Sequence, residues 1–249
     1  MTYQSVSILG IPFYKGKANQ VFDLLNTSGG LLTVPAAPGL ANIPNDAHYY
    51  QALLHSDIII PDSGYMTLIW NLFFSPKLHK ISGLEFINYF IDNISSLKNK
   101  KIFLINPSDL DGQINQKYFE SLGHTISDQN VYTAPFYEQN THDEQLLNQI
   151  NLQKPDWIII NIGGGTQEKL GLFLKQNLFY KPVIICTGAA LAFKTGRQVQ
   201  IPKWIDYIYL GWLHRCISSP KNYIPRYWNS FKLFFLLIKY QNKPITDIF

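Results

Sequence analysis

The chain of 249 residues is 46% hydrophobic, 14% aromatic and 15% charged, which is enough apolar content for a sizeable core and excludes a disordered charged tail. Its 21 Lys and Arg against 17 Asp and Glu give a net charge of +4, too small for a nucleic-acid footprint unless the positive charge is concentrated in one place. Two cysteines, Cys186 and Cys216, exclude a disulfide framework and a metal site made of cysteine alone, and no run approaches the ~18–20 apolar residues that span a bilayer.

With no basic and apolar secretion signal at the N-terminus, a reducing cytosol is the expected compartment. In chain order, a strand at 5–9 leads to a helix at 15–25, and a strand at 31–34 to a helix at 46–54. A strand at 57–60 leads to helices at 67–74 and 84–97, a strand at 101–105 to a helix at 111–122, and a strand at 124–131 to a helix at 143–151. A strand at 156–160 leads to a helix at 167–177, and a last strand lies at 182–186. Such alternation predicts a Rossmann-like α/β fold, a mostly parallel sheet with helices on both faces. Runs such as Ile58-Ile59-Ile60 and Trp157-Ile158-Ile159-Ile160 suit strands buried on both sides.

Past Gly188 the texture changes. Trp204, Trp212, Trp228 and several tyrosines are interleaved with Arg197, Lys203, Arg215, Lys221, Arg226, Lys232, Lys239 and Lys243, while Asp206 and Asp247 are the only acids after Glu168. The division expected is an α/β core over residues 1–200 and a basic, aromatic, helical appendage over 201–249. Residues 231–238 would be either an apolar insert into an anionic lipid surface or part of a helical cap on the sheet, and both hold if they belong to different faces.

Four segments invite chemistry. Pro61-Asp62-Ser63-Gly64 closes a strand, where ligands of open α/β sheets bind. Partial burial there would raise the Asp62 pKa and make it a general base, whereas the plainer alternative is that Asp62 or Ser63 caps the next helix. Gly163-Gly164-Gly165 lies between strand and helix; its N–H groups suit a diphosphate, or it is a tight turn with Thr166 as cap. Gly188 and Ala189 follow the last strand with little side chain, permitting close approach of a ligand. Asp109-Leu110-Asp111 reads as turn and cap residues rather than a metal site, and the six histidines lack ligand spacing.

In order, these segments resemble the WecG/TagA/CpsF family of bacterial glycosyltransferases. Pro61-Asp62-Ser63-Gly64 is close to the family's P-D-G-x-G, Ile81-Ser82-Gly83-Leu84-Glu85 to V-T-G-x-D, and residues 163–169 to G-S-P-K-Q-E-K. Residues 188–197 are close to G-A-A-F-D-F-x-x-G-R. Pro202-Lys203-Trp204, the run 211–215 and the run 220–227 are close to A-P-x-W, E-W-L-Y-R and E-P-x-R-x-x-R-Y. The resemblance implies an inverting, metal-independent transfer from a UDP-sugar (N-acetylmannosamine, its uronic acid, or glucose) to a polyprenyl-diphosphate-linked sugar at the inner membrane face, with no cofactor beyond the donor and with room for a homo-oligomer. It implies Asp62 as catalytic base, Thr33 and Gln167 as substrate contacts, and Arg215, Lys221 and Arg226 as holders of the diphosphate. Where the family has T-x-N, this chain reads Thr33-Val34-Pro35; Ala192 replaces an Asp and Gly211 a Glu, which removes polar partners from the pocket. A non-catalytic nucleotide- or lipid-binding membrane adaptor on the same fold is the alternative.

Overall fold

A computed structural model describes residues 3–138, 141–197 and 228–246. Its centre is a six-stranded, all-parallel sheet in the order β4 (Ile58–Ile59), β3 (Gly30–Thr33), β8 (Val183–Cys186), β7 (Trp157–Ile160), β5 (Ile102–Asn106), β6 (Val131–Thr133). The four central strands β3, β8, β7 and β5 are buried at every position, as their apolar runs require.

Helices α1 (Ala18–Ser28), α5 (Gly83–Asp92), α6 (Asp109–Ser121) and α9 (Ala190–Lys194) cover one face. There Trp157 stacks on Phe22 and meets Phe90 at a tilt, 5.1 Å between ring centres. Helices α7 (Glu144–Gln153) and α8 (Thr166–Asn177) cover the other face through Leu146, Ile150, Leu170 and Leu174.

The predicted strand at 5–9 does not join this sheet. β1 (Ser5–Ile8) folds back on β2 (Ile11–Tyr14), which the sequence reading missed, as an antiparallel hairpin. Its two-residue turn has Leu9 at φ 55° and Gly10 at φ 76°, the left-handed pair that matches strand twist. A side chain on Gly10 would stand 2.7 Å from Pro244 Cα, so close approach of the C-terminal segment also demands glycine.

A third apolar cluster joins this hairpin to α2 (Ala37–Ala41), α3 (Ala47–Leu54), α4 (Gly64–Phe73) and α10 (Lys232–Tyr240). α10 buries Leu233, Leu237 and Tyr240, so this stripe is a helical cap on the fold, while Phe235 and Ile238, with Phe231 just before the helix, stay exposed. The chain beyond it is tied in by Leu9 N–H to Gln241 O (2.7 Å) and Ile245 N–H to the Tyr50 hydroxyl (3.2 Å).

Other boundaries moved for local reasons. The polar run Ser127-Asp128-Gln129-Asn130 forms a 3-10 turn, leaving only Val131 of the strand predicted at 124–131, as the first residue of β6. The helix predicted at 84–97 stops at Asp92; Asn93 returns its side-chain amide to Tyr89 O, and a 3-10 turn follows over Ile94–Leu97. The helix predicted at 15–25 starts at Ala18 and runs to Ser28. It stops at Gly29, where a Cβ would lie 2.3 Å from Lys181 O.

Candidate active site

The carboxyl ends of β3, β4, β5, β7 and β8 open into a cleft of about 990 Å³. Its position follows from strand order: β3 connects outward to β4, while β8 is reached from the opposite side, and a crevice forms where the connections diverge.

Asp62 lines this cleft just past β4. Its Oδ1 accepts the Gly83 N–H at 2.9 Å, joining the end of β4 to the first turn of α5. The cap of α4 is Ser63, whose hydroxyl accepts from Met66 N–H at 3.1 Å, so capping of that helix is carried by the neighbour and not by Asp62. Ser82 caps α5 in the same way.

Gly163, Gly164 and Gly165 form the rim between β7 and α8, with open space where each side chain would stand. The cap of α8 is Gly165, at φ 93°, and not Thr166 as the sequence suggested. Its N–H is committed to Glu168 Oε2 at 2.6 Å, so Gly163 and Gly164 are the exposed members of the loop.

Gln167 is buried and spans two loops. Its Oε1 accepts Gly188 N–H at 2.8 Å, while Nε2 donates to Glu168 Oε1 (2.9 Å) and to Cys186 O (3.3 Å). Gly188 sits at φ 61°, and Ala189, the residue just before α9, lies beside it on the cleft wall. Thr33 is not brought to the cleft. It is fully buried at the end of β3 with its hydroxyl 3.0 Å from Ser56 Oγ, and Val34, one residue on, forms the wall. Arg215, Lys221 and Arg226 lie outside the described residues.

The two aspartates of 109–111 turn to different partners. Asp109 accepts from the Thr133 hydroxyl; Asp111 accepts from Ser108 Oγ (2.5 Å) and pairs with Arg197 Nε (2.9 Å). Among the described residues no group of three His, Cys, Asp or Glu side chains could hold a metal ion.

Sequence reasoning missed the electrostatics beneath the glycine loop. Glu168 is 1% exposed, and burial pushes its carboxyl up to about 7, against the pull of hydrogen bonds from Gln167 and Gly165 and of nearby Lys169. Burial, followed by the charge of Glu168, also raises the Tyr49 hydroxyl and the Cys186 thiol well above their usual values. Lys169 itself pairs with Asp46, the cap of α3, at 3.1 Å. A glutamate in the first turn of a helix reads as an ordinary dipole complement; only the packing of α3 and β8 around it makes it a buried acid.

The folded state therefore holds the Glu168 proton more tightly than the unfolded chain, so its contribution to stability is full below about pH 4.5 and is lost as pH rises through about 7. Denaturant titrations of Glu168→Gln should lack this slope. The wild type should lose up to about 3 kcal/mol relative to the variant across that window.

The match to known proteins agrees with this geometry. The model of the glycosyl transferase WecG/TagA/CpsF family matches residues 6–246. The chain is 23% identical over 223 residues to an N-acetylglucosaminyldiphosphoundecaprenol N-acetyl-beta-D-mannosaminyltransferase of Staphylococcus aureus strain MRSA252, covering 87% of this chain and 85% of the relative. It is 22% identical over 226 residues, with the same coverage, to the protein of that name from strain MW2. With the parallel sheet, the glycine rim and Asp62 at the head of the cleft, a match spanning nearly every described element means that this chain belongs to the WecG/TagA/CpsF family of glycosyltransferases.

Proposed function

We propose that this glycosyltransferase moves a sugar of the N-acetylmannosamine type, its uronic acid or glucose from a UDP donor to a polyprenyl-diphosphate-linked sugar, in the synthesis of a cell-surface polysaccharide. The observation that carries the reading is Asp62 at the carboxyl end of β4, facing a cleft rimmed by glycines, in a chain whose relatives carry the name of a lipid-linked mannosaminyltransferase. Membership of an enzyme family favours catalysis over an adaptor role.

The transfer is a single in-line displacement. Asp62 takes the proton of the acceptor hydroxyl as that oxygen bonds to the anomeric carbon; the bond from that carbon to the diphosphate oxygen breaks, UDP leaves and the configuration inverts. Charge builds on the departing diphosphate, and backbone N–H groups of Gly163 and Gly164 with Arg215, Lys221 and Arg226 stabilise it. No metal takes part, and Gln167 orients the two loops that face the donor.

The enzyme works on the inner face of the cytoplasmic membrane. No helix among the described residues is long and apolar enough to cross a membrane. What supports surface attachment is an exposed apolar face shared by α4 and α10: Leu68, Leu72 and Phe73 beside Trp228, Phe231, Phe235 and Ile238, knit by Phe73 on Phe234 at 6.0 Å and Trp228 on Phe231 at 5.9 Å between ring centres. Exposed Lys232 and Lys239 supply the cations, and Lys232 also lines the cleft, which sets the lipid-facing side next to the site.

The test is a panel of UDP-N-acetylmannosamine, UDP-N-acetylmannosaminuronic acid and UDP-glucose with a short-chain N-acetylglucosaminyl-diphosphate lipid. UDP release with one donor, unchanged by chelator or added magnesium, is expected. Silence across the panel overturns the reading, and chelator-sensitive turnover overturns its metal-free step.

A further inference from the structure

The carboxyl edge of the sheet ends in a polar row. Register pairs Ile105 with Ile160 and Ile160 with Cys186, so the next residues, Asn106, Asn161 and Thr187, stand side by side on adjacent strands. Alternation puts them on the face that carries Leu104, Ile159 and Ile185 into the core beneath α5 and α6. Asn161 Nδ2 donates to Asn106 Oδ1 at 3.2 Å, and Asn115 Nδ2 donates to the same oxygen at 2.8 Å.

Each member of the row nevertheless encloses a polar atom with no partner: Asn106 Nδ2, Asn161 Oδ1 and Thr187 Oγ1. Asn106 is fully buried and its amide faces Gly112 of α6, away from the cleft. Asn161 and Thr187 line the cleft, and Thr187, 7% exposed, packs against Gly83, the residue whose N–H Asp62 holds. Enclosed polar atoms without partners cost stability, and at the floor of a binding cleft beside a reacting group that cost is offset when a ligand supplies the missing bonds.

The unpaired atom of Asn161 is an acceptor only. It repels the acceptor oxygens of a diphosphate and calls for a neutral group bearing O–H or N–H; the Thr187 hydroxyl beside it both donates and accepts. We propose that Asn161 and Thr187 determine donor specificity by hydrogen-bonding a hydroxyl or acetamido substituent of the transferred sugar. The inference rests on the glycosyl-transfer reading above and deepens it. Around these two polar groups the cleft is also lined by the apolar Val34, Ala36, Pro38 and Ala192.

Thr187→Val removes the unpaired hydroxyl at nearly constant volume, and Thr187→Ser restores it. The Val variant should melt at or above the wild-type temperature and bind UDP alone, by calorimetry, within twofold. It should lose about tenfold in kcat/KM on the preferred sugar nucleotide of the panel and less on the others, with Ser recovering most of the loss. Lowered melting with an unchanged donor ranking makes the hydroxyl a framework bond and overturns the proposal. So does an equal loss of affinity for UDP alone, which assigns the row to the uracil imide. A wild type that turns over while the Val variant matches it on every donor defeats this inference only; a wild type that neither binds a sugar nucleotide nor releases UDP defeats both this inference and the glycosyl-transfer reading.

Discussion

Asp62→Asn is expected to lower turnover by about 100-fold or more while leaving folding and UDP affinity near wild type, the usual reach of a general base. Asp62 accepts the Gly83 N–H at 2.9 Å through Oδ1, and an Asn carbonyl oxygen accepts the same bond. Capping of α4 belongs to Ser63 and is untouched. The variant loses the capacity to take a proton while keeping the bond to Gly83. Single-turnover UDP release with saturating acceptor, alongside a melting curve, checks it. A variant within a few-fold of wild type would return Asp62 to a structural role at the start of α5.

Phe235→Glu with Ile238→Glu should abolish attachment to anionic vesicles, by more than about 100-fold, without unfolding the chain. Both side chains project from α10 into solvent, Phe235 at 69% and Ile238 at 41% exposure, whereas the stripe that holds the helix down is Leu233, Leu237 and Tyr240. Each apolar side chain buried in lipid contributes about 1.5–3 kcal/mol, and each added negative charge costs about 1 kcal/mol at an anionic surface, so the pair removes several kcal/mol. Co-sedimentation with phosphatidylglycerol vesicles at low and high salt measures it, and turnover on a soluble short-chain acceptor should persist. Unchanged vesicle binding would leave α4 and α10 as an ordinary exposed surface. Leu236 is unsuited to the test because it packs on the core.

The parallel sheet was legible because its strands are short, apolar and alternate with helices, a pattern that buries both faces only one way. The β1–β2 hairpin was not, since four-residue strands joined by Leu9-Gly10 carry no distinct turn signature until the positive backbone angles are seen. The place of Asp62 at a strand end was readable from Ile58-Ile59-Ile60-Pro61-Asp62; that Ser63 and not Asp62 caps α4 was not, because both residue types cap equally well. Thr33 shows the limit from the other side: a threonine at a strand end could face cleft or core, and Ser56 on the neighbouring segment claims its hydroxyl.

Sequence by itself determined the α/β class, the family motifs in register, the glycine rim and the basic aromatic C-terminus, since each is set by residue type and local spacing. Tertiary structure alone decided which polar groups lose water. Glu168 became a buried acid through α3 and β8, Asn161 and Thr187 became neighbours through strands 26 residues apart in number, as the register of β7 and β8 dictates, and α10 acquired one buried and one exposed stripe from the hairpin and helices it covers. Desolvation depends on what the rest of the chain brings alongside, and contacts between distant segments leave no trace in local spacing.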